Sequence, residues 1–331
     1  MLKVVQIGLG PLGQRVVRCA VERKGVKIVA AVDPAPDKAG RDLGEVCGLK
    51  PLGIKVSRDL ASAMEGRKAD LALLTTVSRL KVLEGQVEQI ARAGLRIVST
   101  CEELSFPWDK DPLVAGRIDR VCRKYGVACV GTGVNPGFLM DYLPSVLTSV
   151  CQDVKQITVT RVQDASTRRI PFQQKIGAGL TRAQFRAKVA AGTLQHVGLV
   201  ESMQMIARGM NWKLTRTTES LVPVIAARRI TSGHVPIRKG MACGVEQIGR
   251  GFIGKKEVIR LHFRAAVGEA QSFDTVEIDG TPTIRSTVPG GINGDIATCA
   301  ITINTCRSIM KAAPGLRTML DLPVPACFAA V

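Results

Sequence analysis

The first half of the chain alternates short β-branched runs with stretches whose apolar residues recur at helical spacing. Strand-like runs fall at 3–7, 27–32, 70–74, 96–99 and 127–130, and helical stretches at 11–23, 77–93 and 112–125. That rhythm predicts an α/β unit: a doubly wound parallel sheet with crossover helices. After Asn135 the pattern changes. Residues 154–162 put Ile157, Val159 and Arg161 on one face of a strand and Thr158, Thr160 and Val162 on the other. Helical stretches at 182–190 and 198–208 precede β-rich stretches at 245–267 and 273–288, and a helix at 295–310 closes the pattern. The expected organisation is a first domain over 1–138, rejoined by a return helix within 295–331. A second, α+β domain with a mixed or antiparallel sheet is expected over 139–294, for substrate binding and dimerisation.

The first strand, Val4-Val5-Gln6-Ile7, runs directly into Gly8-Leu9-Gly10-Pro11-Leu12-Gly13, a G-x-G-x-x-G that opens a helix. Gly8 is expected to make the tight turn, Gly10 to let the backbone approach a pyrophosphate, and Gly13 to let the helix pack on the sheet. Pro11 sits where a first helical turn needs no amide, and the amides left exposed there face the phosphates. Twenty residues beyond Gly13, the second strand ends at Asp33, where a carboxylate accepts hydrogen bonds from an adenosine ribose. Strand, turn, helix, spacing and acid together predict a Rossmann nucleotide site. An acid at that position repels a 2′-phosphate and favours NAD, whereas the nearby Lys38 and Arg41 keep NADP open.

In open α/β sheets ligands lie outside the carboxyl ends of the strands. The ends of the later strands, Thr75-Thr76, Thr100-Cys101 and Gly131-Thr132-Gly133, are therefore expected to line the nicotinamide half. Immediately after Cys101 stand Glu102 and Glu103, flanked by apolar residues. A carboxylate held partly out of water there suits general acid/base work, whereas a helix N-terminus collecting acids for its dipole accounts for one of the pair. Either Glu102 or Glu103 is expected to be catalytic.

Charge and cysteine content alter this picture little. The chain of 331 residues carries 46 Lys and Arg against 28 Asp and Glu, a net +18 that invites an anionic partner. The basic residues are scattered, however, and 4% aromatic content offers few stacking platforms for bases. Ten cysteines without a C-x-x-C spacing read as small core residues, and three isolated histidines suggest no metal. Only residues 2–7 precede the glycine motif and no apolar run approaches membrane length, so the expectation is a cytoplasmic protein.

Four stretches carry a resemblance. They are the Glu102-Glu103 segment, Gly131-Thr132-Gly133-Val134-Asn135-Pro136-Gly137-Phe138, Arg161-Val162-Gln163-Asp164-Ala165-Ser166 with Arg168-Arg169, and Gly290-Gly291-Ile292-Asn293-Gly294-Asp295-Ile296-Ala297-Thr298. Together they resemble the 2,4-diaminopentanoate dehydrogenase family, which includes the native amine dehydrogenases, over nearly the whole chain. The resemblance implies a dihydrodipicolinate reductase-like fold, NAD or NADP as cofactor, and reversible oxidative deamination of an amine to a carbonyl compound and ammonia. It places the family's catalytic glutamate on the Glu102-Glu103 pair. Asn135 is expected to touch the nicotinamide, Phe138 the substrate, and Arg161 and Arg168 a substrate carboxylate if there is one. His196 lies in Gln195-His196-Val197-Gly198-Leu199, which resembles a family Gly-His-x-Gly-Leu run with Gln195 in place of its glycine.

Two other readings stand beside this one. The same scaffold serves a reductase of a cyclic imine or diamino acid, and the net charge would suit a non-catalytic dinucleotide-sensing or RNA-binding protein. The chain lacks the His-His pair and Ser-Gly-Thr run of dihydrodipicolinate reductases proper. It also lacks the Glu-Lys-Pro of sugar-type oxidoreductases, having Glu102-Glu103-Leu104 there.

Overall fold

The computed structural model describes residues 1–194 and 198–328. The chain divides into two compact units, Met1–Leu139 with Gly294–Val331, and Met140–Asn293. The first unit runs β1 (Leu2–Ile7), α1 (Pro11–Val21), β2 (Val26–Val32), α2 (Leu43–Val46), β3 (Val56–Ser57), α3 (Leu60–Met64), β4 (Leu71–Leu74), α4 (Leu80–Arg92), β5 (Arg96–Ser99), α5 (Pro112–Lys124) and β6 (Ala128–Gly131). The second holds α6 (Tyr142–Leu147), β7 (Asp153–Asp164), α7 (Ile170–Lys175), α8 (Arg182–Ala190), α9 (Leu199–Gly209), β8 (Arg216–Ile225), β9 (Ala242–Ile253), β10 (Lys256–Ala266), β11 (Phe273–Thr281) and β12 (Ile284–Pro289). The chain then returns to the first unit as α10 (Gly294–Ile309) and β13 (Gly315–Arg317).

The first unit is a seven-stranded parallel sheet in the order β13-β6-β5-β4-β1-β2-β3. Its strands are short and apolar through their length, as burial on both faces demands; all four residues of β4 are buried. The chain moves outward from β1 through β2 to β3, then crosses back to β4 on the other side of β1. That reversal is a topological switch point, and the crevice for a ligand lies at the carboxyl ends of β1 and β4. Helix α10 buries Ile301, Ile303, Cys306 and Ile309 together with Thr302, Thr305 and Ser308. The threonine hydroxyls of 302 and 305 bond carbonyls one turn back, so polar side chains enter the interior already satisfied.

The second unit is a six-stranded mixed sheet in the order β12-β11-β7-β10-β9-β8. Only β7 and β10 pair in parallel; the other pairs are antiparallel. Ile157, Val159 and Arg161 of β7 are fully buried, whereas Thr158 and Thr160 are half-buried. Helix α9 packs close on β9 because Gly249 has no side chain; a Cβ there would lie 3.1 Å from the Met203 terminal carbon.

Several elements escape the hydrophobic pattern for physical reasons. β3 and β13 have two and three residues, too few for any period to register. β8 is an edge strand with a ragged burial pattern and a proline at 223. The short helices α6 and α7 each carry a proline in their first turn, which the eye reads as loop.

Candidate active site

The glycine turn is fixed from beneath by polar groups buried in the sheet. Gln6 is fully buried within β1, and its Nε2 donates to the Gly8 carbonyl at 2.8 Å and to Thr75 Oγ1 at 2.8 Å. Thr75 Oγ1 in turn donates to the Gly8 carbonyl at 2.8 Å. Gly8 has φ +89, a conformation that costs other residues free energy. A Cβ on Gly13 would lie 2.1 Å from the Gly8 oxygen, so the start of α1 presses on the turn backbone to backbone. Gly10 differs, for a Cβ there would meet no protein atom within 4 Å. The space over it is open to a ligand, and the N-terminus of α1 offers amides to an anion there.

A cavity of about 520 Å³ lies beside this turn, lined among others by Gly8, Gly10, Asp33, Lys38, Arg58 and Thr76. Gly8, Gly10, Asp33, Thr75 and Thr76 are thus brought together, whereas Pro11, Leu12 and Gly13 belong to the helix start behind them. Asp33 is engaged on both oxygens: Oδ2 accepts from the Leu9 amide at 2.7 Å and from Lys38 Nζ at 3.1 Å, and Oδ1 from the Ala35 amide at 3.0 Å. Burial alone would raise this carboxyl, but the Ala35 and Leu9 amides and the Lys38 ammonium outweigh it and hold it below the ordinary aspartate value. The acid therefore stays charged while also tying the glycine turn to the end of β2. Arg41 is spent locally, its guanidinium bonding the Asp37 carbonyl at 3.3 Å. The residues present fit a dinucleotide: a cradle without side chain over the phosphates and a charged acceptor at the ribose end.

At the carboxyl end of β5 the chain makes a 3-10 turn, Glu102–Leu104. Successive residues of such a turn point about 120° apart, so the two glutamates cannot share one direction. Glu103 turns back on the protein. Its Oε2 accepts from the Leu80 amide at 2.8 Å, in the first turn of α4, and its Oε1 meets Lys110 Nζ at 2.9 Å. Glu102 is half-buried and comes first in the turn. The turn rests on the end of β6, where a Cβ on Gly131 would lie 2.6 Å from the Leu104 carbonyl carbon.

The neighbouring positions divide into core and rim. Cys101 is fully buried, and burial pushes its thiol up to about 12, so its side chain packs rather than reacts. Thr100 is half-buried beside it, its amide bonding the Leu74 carbonyl at 3.1 Å. Beyond β6, both polar atoms of the Asn135 side chain are buried and have no hydrogen-bond partner among the described residues; the same holds for Ser105 Oγ and Thr132 Oγ1. An orphaned buried amide costs about 1–3 kcal/mol, which a ligand offering one donor and one acceptor would offset. Phe138 is half-buried three residues on.

In the second unit Arg161 and Arg168 belong to an internal network. Arg161 is fully buried; Nη2 donates to the Ile292 carbonyl at 2.7 Å, and Nη1 lies 3.6 Å from Asp274 Oδ2. Burial pulls this guanidinium down to about 10, opposed by the Asp274 carboxylate. Burial likewise raises the Asp274 carboxyl, opposed by Arg161 and the Ile292 amide. The Ile292 amide donates to Asp274 Oδ2 at 2.6 Å and its carbonyl accepts from Gln163 Nε2 at 2.7 Å, so the Gly290–Asn293 stretch is pinned through one residue. Arg168 donates to Gln163 Oε1 at 3.0 Å and stacks 4.0 Å from the centre of the Phe172 ring. His262 pairs with Glu246 at 2.8 Å across the β9–β10 ladder, while His196 lies outside the described residues. No cluster able to hold a metal ion, and no helix long and apolar enough to cross a membrane, occurs among the described residues.

Sequence reading passed over Gln6, Arg58 and Lys110. A glutamine within the otherwise apolar run Val4-Val5-Gln6-Ile7 was the available signal for the first, since a buried amide must be hydrogen-bonded. Nothing local marked the other two.

A seven-stranded parallel sheet with a glycine turn after β1 and an acid at the end of β2 defines a protein built on a dinucleotide-binding fold. Residues 2–101 match the dihydrodipicolinate reductase N-terminus, and residues 138–331 match the 2,4-diaminopentanoate dehydrogenase C-terminal domain. The chain is 32% identical to a 2,4-diaminopentanoate dehydrogenase of Acetoanaerobium sticklandii, over 98% of this chain and 94% of that one. It is 21% identical to an amine dehydrogenase of Streptomyces virginiae, over 98% of this chain and 97% of the relative. Its fold is that of an amine dehydrogenase from Mycobacterium smegmatis, with a TM-score of 0.87 at 22% identity, covering 99% and 97% of the two chains. The chain belongs to the 2,4-diaminopentanoate dehydrogenase family.

Proposed function

We propose that the protein is an NAD(P)-dependent amine dehydrogenase that interconverts an amine with a carbonyl compound and ammonia, with Glu102 as the acid/base. The observation that supports this is the engagement of Glu103, whose carboxylate accepts from the Leu80 amide and meets Lys110, at the strand-end turn that Glu102 begins. The nicotinamide, when bound, supplies or accepts the hydride. In the direction of amination, Glu102 takes a proton from ammonium so that a free amine can attack the carbonyl carbon. Returning that proton to the departing hydroxyl as water leaves, Glu102 is again a carboxylate and stabilises the cationic iminium that will receive hydride. Asn135 answers the carboxamide with one donor and one acceptor, and Thr100 and Phe138 line the approach. Gly10 admits the pyrophosphate and Asp33 accepts from the ribose. Arg161 and Arg168 serve as positioning residues, holding the Gly290–Asn293 stretch through Ile292 and Gln163. The homodimer contact we propose uses the half-buried sheet face that carries Thr160, Ile248 and His262 in register.

The test is a panel of ketones, aldehydes and amino ketones with NADH and NADPH, each with and without ammonium. Turnover is expected only with ammonium present. Consumption of reduced cofactor without it would transfer the protein to the second reading, a reductase of a cyclic imine or diamino acid.

On cofactor choice we favour NAD, because Asp33 keeps its charge, with NADP accepted more weakly through Lys38 and Arg58 at the same cavity. Lys38→Ala is expected to weaken NADPH binding about ten-fold, the loss of about 1.4 kcal/mol, while NADH stays within about two-fold. Fluorescence titration of the purified protein measures both. Equal losses for the two nucleotides would remove Lys38 from the 2′-phosphate.

A further inference from the structure

Away from that site, two cysteines of the first unit share one guanidinium. Cys19 and Arg23 stand four residues apart on α1 and the turn that continues it, where the Arg23 amide bonds the Ala20 carbonyl at 3.2 Å. Side chains at that spacing lie on one face. The Arg23 guanidinium lies near enough to the Cys19 sulfur to favour its thiolate, and its Nη1 contacts Cys327 Sγ at 3.0 Å. The segment bearing Cys327 is no loose arm. Arg23 Nη1 holds the Phe328 carbonyl at 2.9 Å and Asn304 Oδ1 at 3.2 Å. The Phe328 ring is buried between Arg23 and Arg307, whose guanidinium carbons lie 5.5 Å and 5.0 Å from its centre. It also lies against Gly25, where a Cβ would come within 3.4 Å of it.

The two sulfurs differ from the remaining cysteines in access. Cys327 is exposed and Cys19 half-buried, while Cys47, Cys101, Cys122, Cys129, Cys243, Cys299 and Cys306 are buried; Cys151, half-buried, lies in the other unit. A guanidinium beside a thiol favours the thiolate, which is the attacking form in disulfide exchange. Burial raises the Cys19 thiol and Arg23 opposes that rise, so the exposed Cys327 is the natural first nucleophile.

We propose that Cys19 and Cys327 form a reversible disulfide, closed by exchange with a small-molecule disulfide, that locks the segment 323–328 onto α1. The Cys327 thiolate attacks one sulfur of the oxidant, whose S–S bond breaks and releases one thiolate. The Cys19 thiolate then attacks the Cys327 sulfur, the mixed disulfide breaks, and the second half leaves. The protein gives up two electrons and two protons, and the oxidant leaves as two thiols. Arg23 lies beside both sulfurs and offsets the charge of the Cys19 thiolate. Because the link joins residues near the two ends of the chain, it restricts the unfolded chain strongly and would raise the unfolding temperature.

The test uses the full-length protein with oxidised glutathione as the probe. Intact-mass measurement and peptide mapping are expected to show the loss of two hydrogens and of two titratable thiols, and one cross-linked peptide pair containing Cys19 and Cys327. Reduction by dithiothreitol should restore both thiols, and Cys19→Ser should stop the wild-type course at a glutathione adduct on Cys327. The proposal falls if the wild-type protein itself retains that adduct with Cys19 still titratable, or if Cys327 links two chains instead.

Discussion

Glu102→Gln is expected to bind NADH within about two-fold of the parent while amination turnover falls by about two to four orders of magnitude, the range for losing a general acid/base. Gln keeps the shape and one acceptor of the side chain but cannot carry a proton or balance a cationic iminium. Glu103→Ala should behave in the opposite way. It removes the acceptor for the Leu80 amide at the start of α4 and the Lys110 partner. The lost cap predicts about 1 kcal/mol of destabilisation with turnover largely kept. The ion pair adds little, since Lys110 is half exposed. Steady-state rates, nucleotide titration and thermal unfolding on both variants separate the roles. If Glu103→Ala loses turnover and Glu102→Gln retains it, the assignment is reversed; if neither loses turnover, no carboxylate of this turn does the chemistry.

Gly13→Ala and Gly10→Ala should fail for different reasons, although both glycines stand in one motif. At Gly13 the added methyl would lie 2.1 Å from the Gly8 oxygen and 2.7 Å from Thr75 Oγ1. Neither neighbour can yield, because the Gly8 carbonyl is held by Gln6 and Thr75 together. The start of α1 must move off the sheet, so we expect a loss of about 1–3 kcal/mol in stability and nucleotide affinity lowered by at least about a hundred-fold. At Gly10 the methyl meets no protein atom within 4 Å. That variant should unfold at the parent's temperature and still bind NADH at least about ten-fold more weakly, because the methyl occupies the place of the phosphates. Wild-type affinity in Gly10→Ala would put the pyrophosphate elsewhere, and wild-type stability in Gly13→Ala would contradict the packing of α1 on the turn.

Much of this was legible in the residues because the relevant forces act over a few positions. The glycine turn, Pro11 and Asp33 lie within one strand-turn-helix-strand unit, where steric and hydrogen-bonding demands are local. The five longer strands follow from short continuous apolar runs, and the three longer helices from a burial period, that each element carries within itself. The mixed sheet of the second unit was legible as β-rich stretches, but the parallel pairing of β7 with β10 was not, because register between distant strands is set by packing of whole faces.

What tertiary structure alone decided is which neighbours each charged side chain meets. Two adjacent glutamates have one identity in the sequence; the amide of Leu80, far along the chain but near in space, takes Glu103 as its acceptor. Arg161 reads as a clamp for an anion until burial beside Asp274 and Ile292 supplies its partners from within. Local chain geometry fixes elements, turns and the acid that follows them. Desolvation and long-range hydrogen bonding assign the charges, and those depend on neighbours that no run of consecutive residues contains.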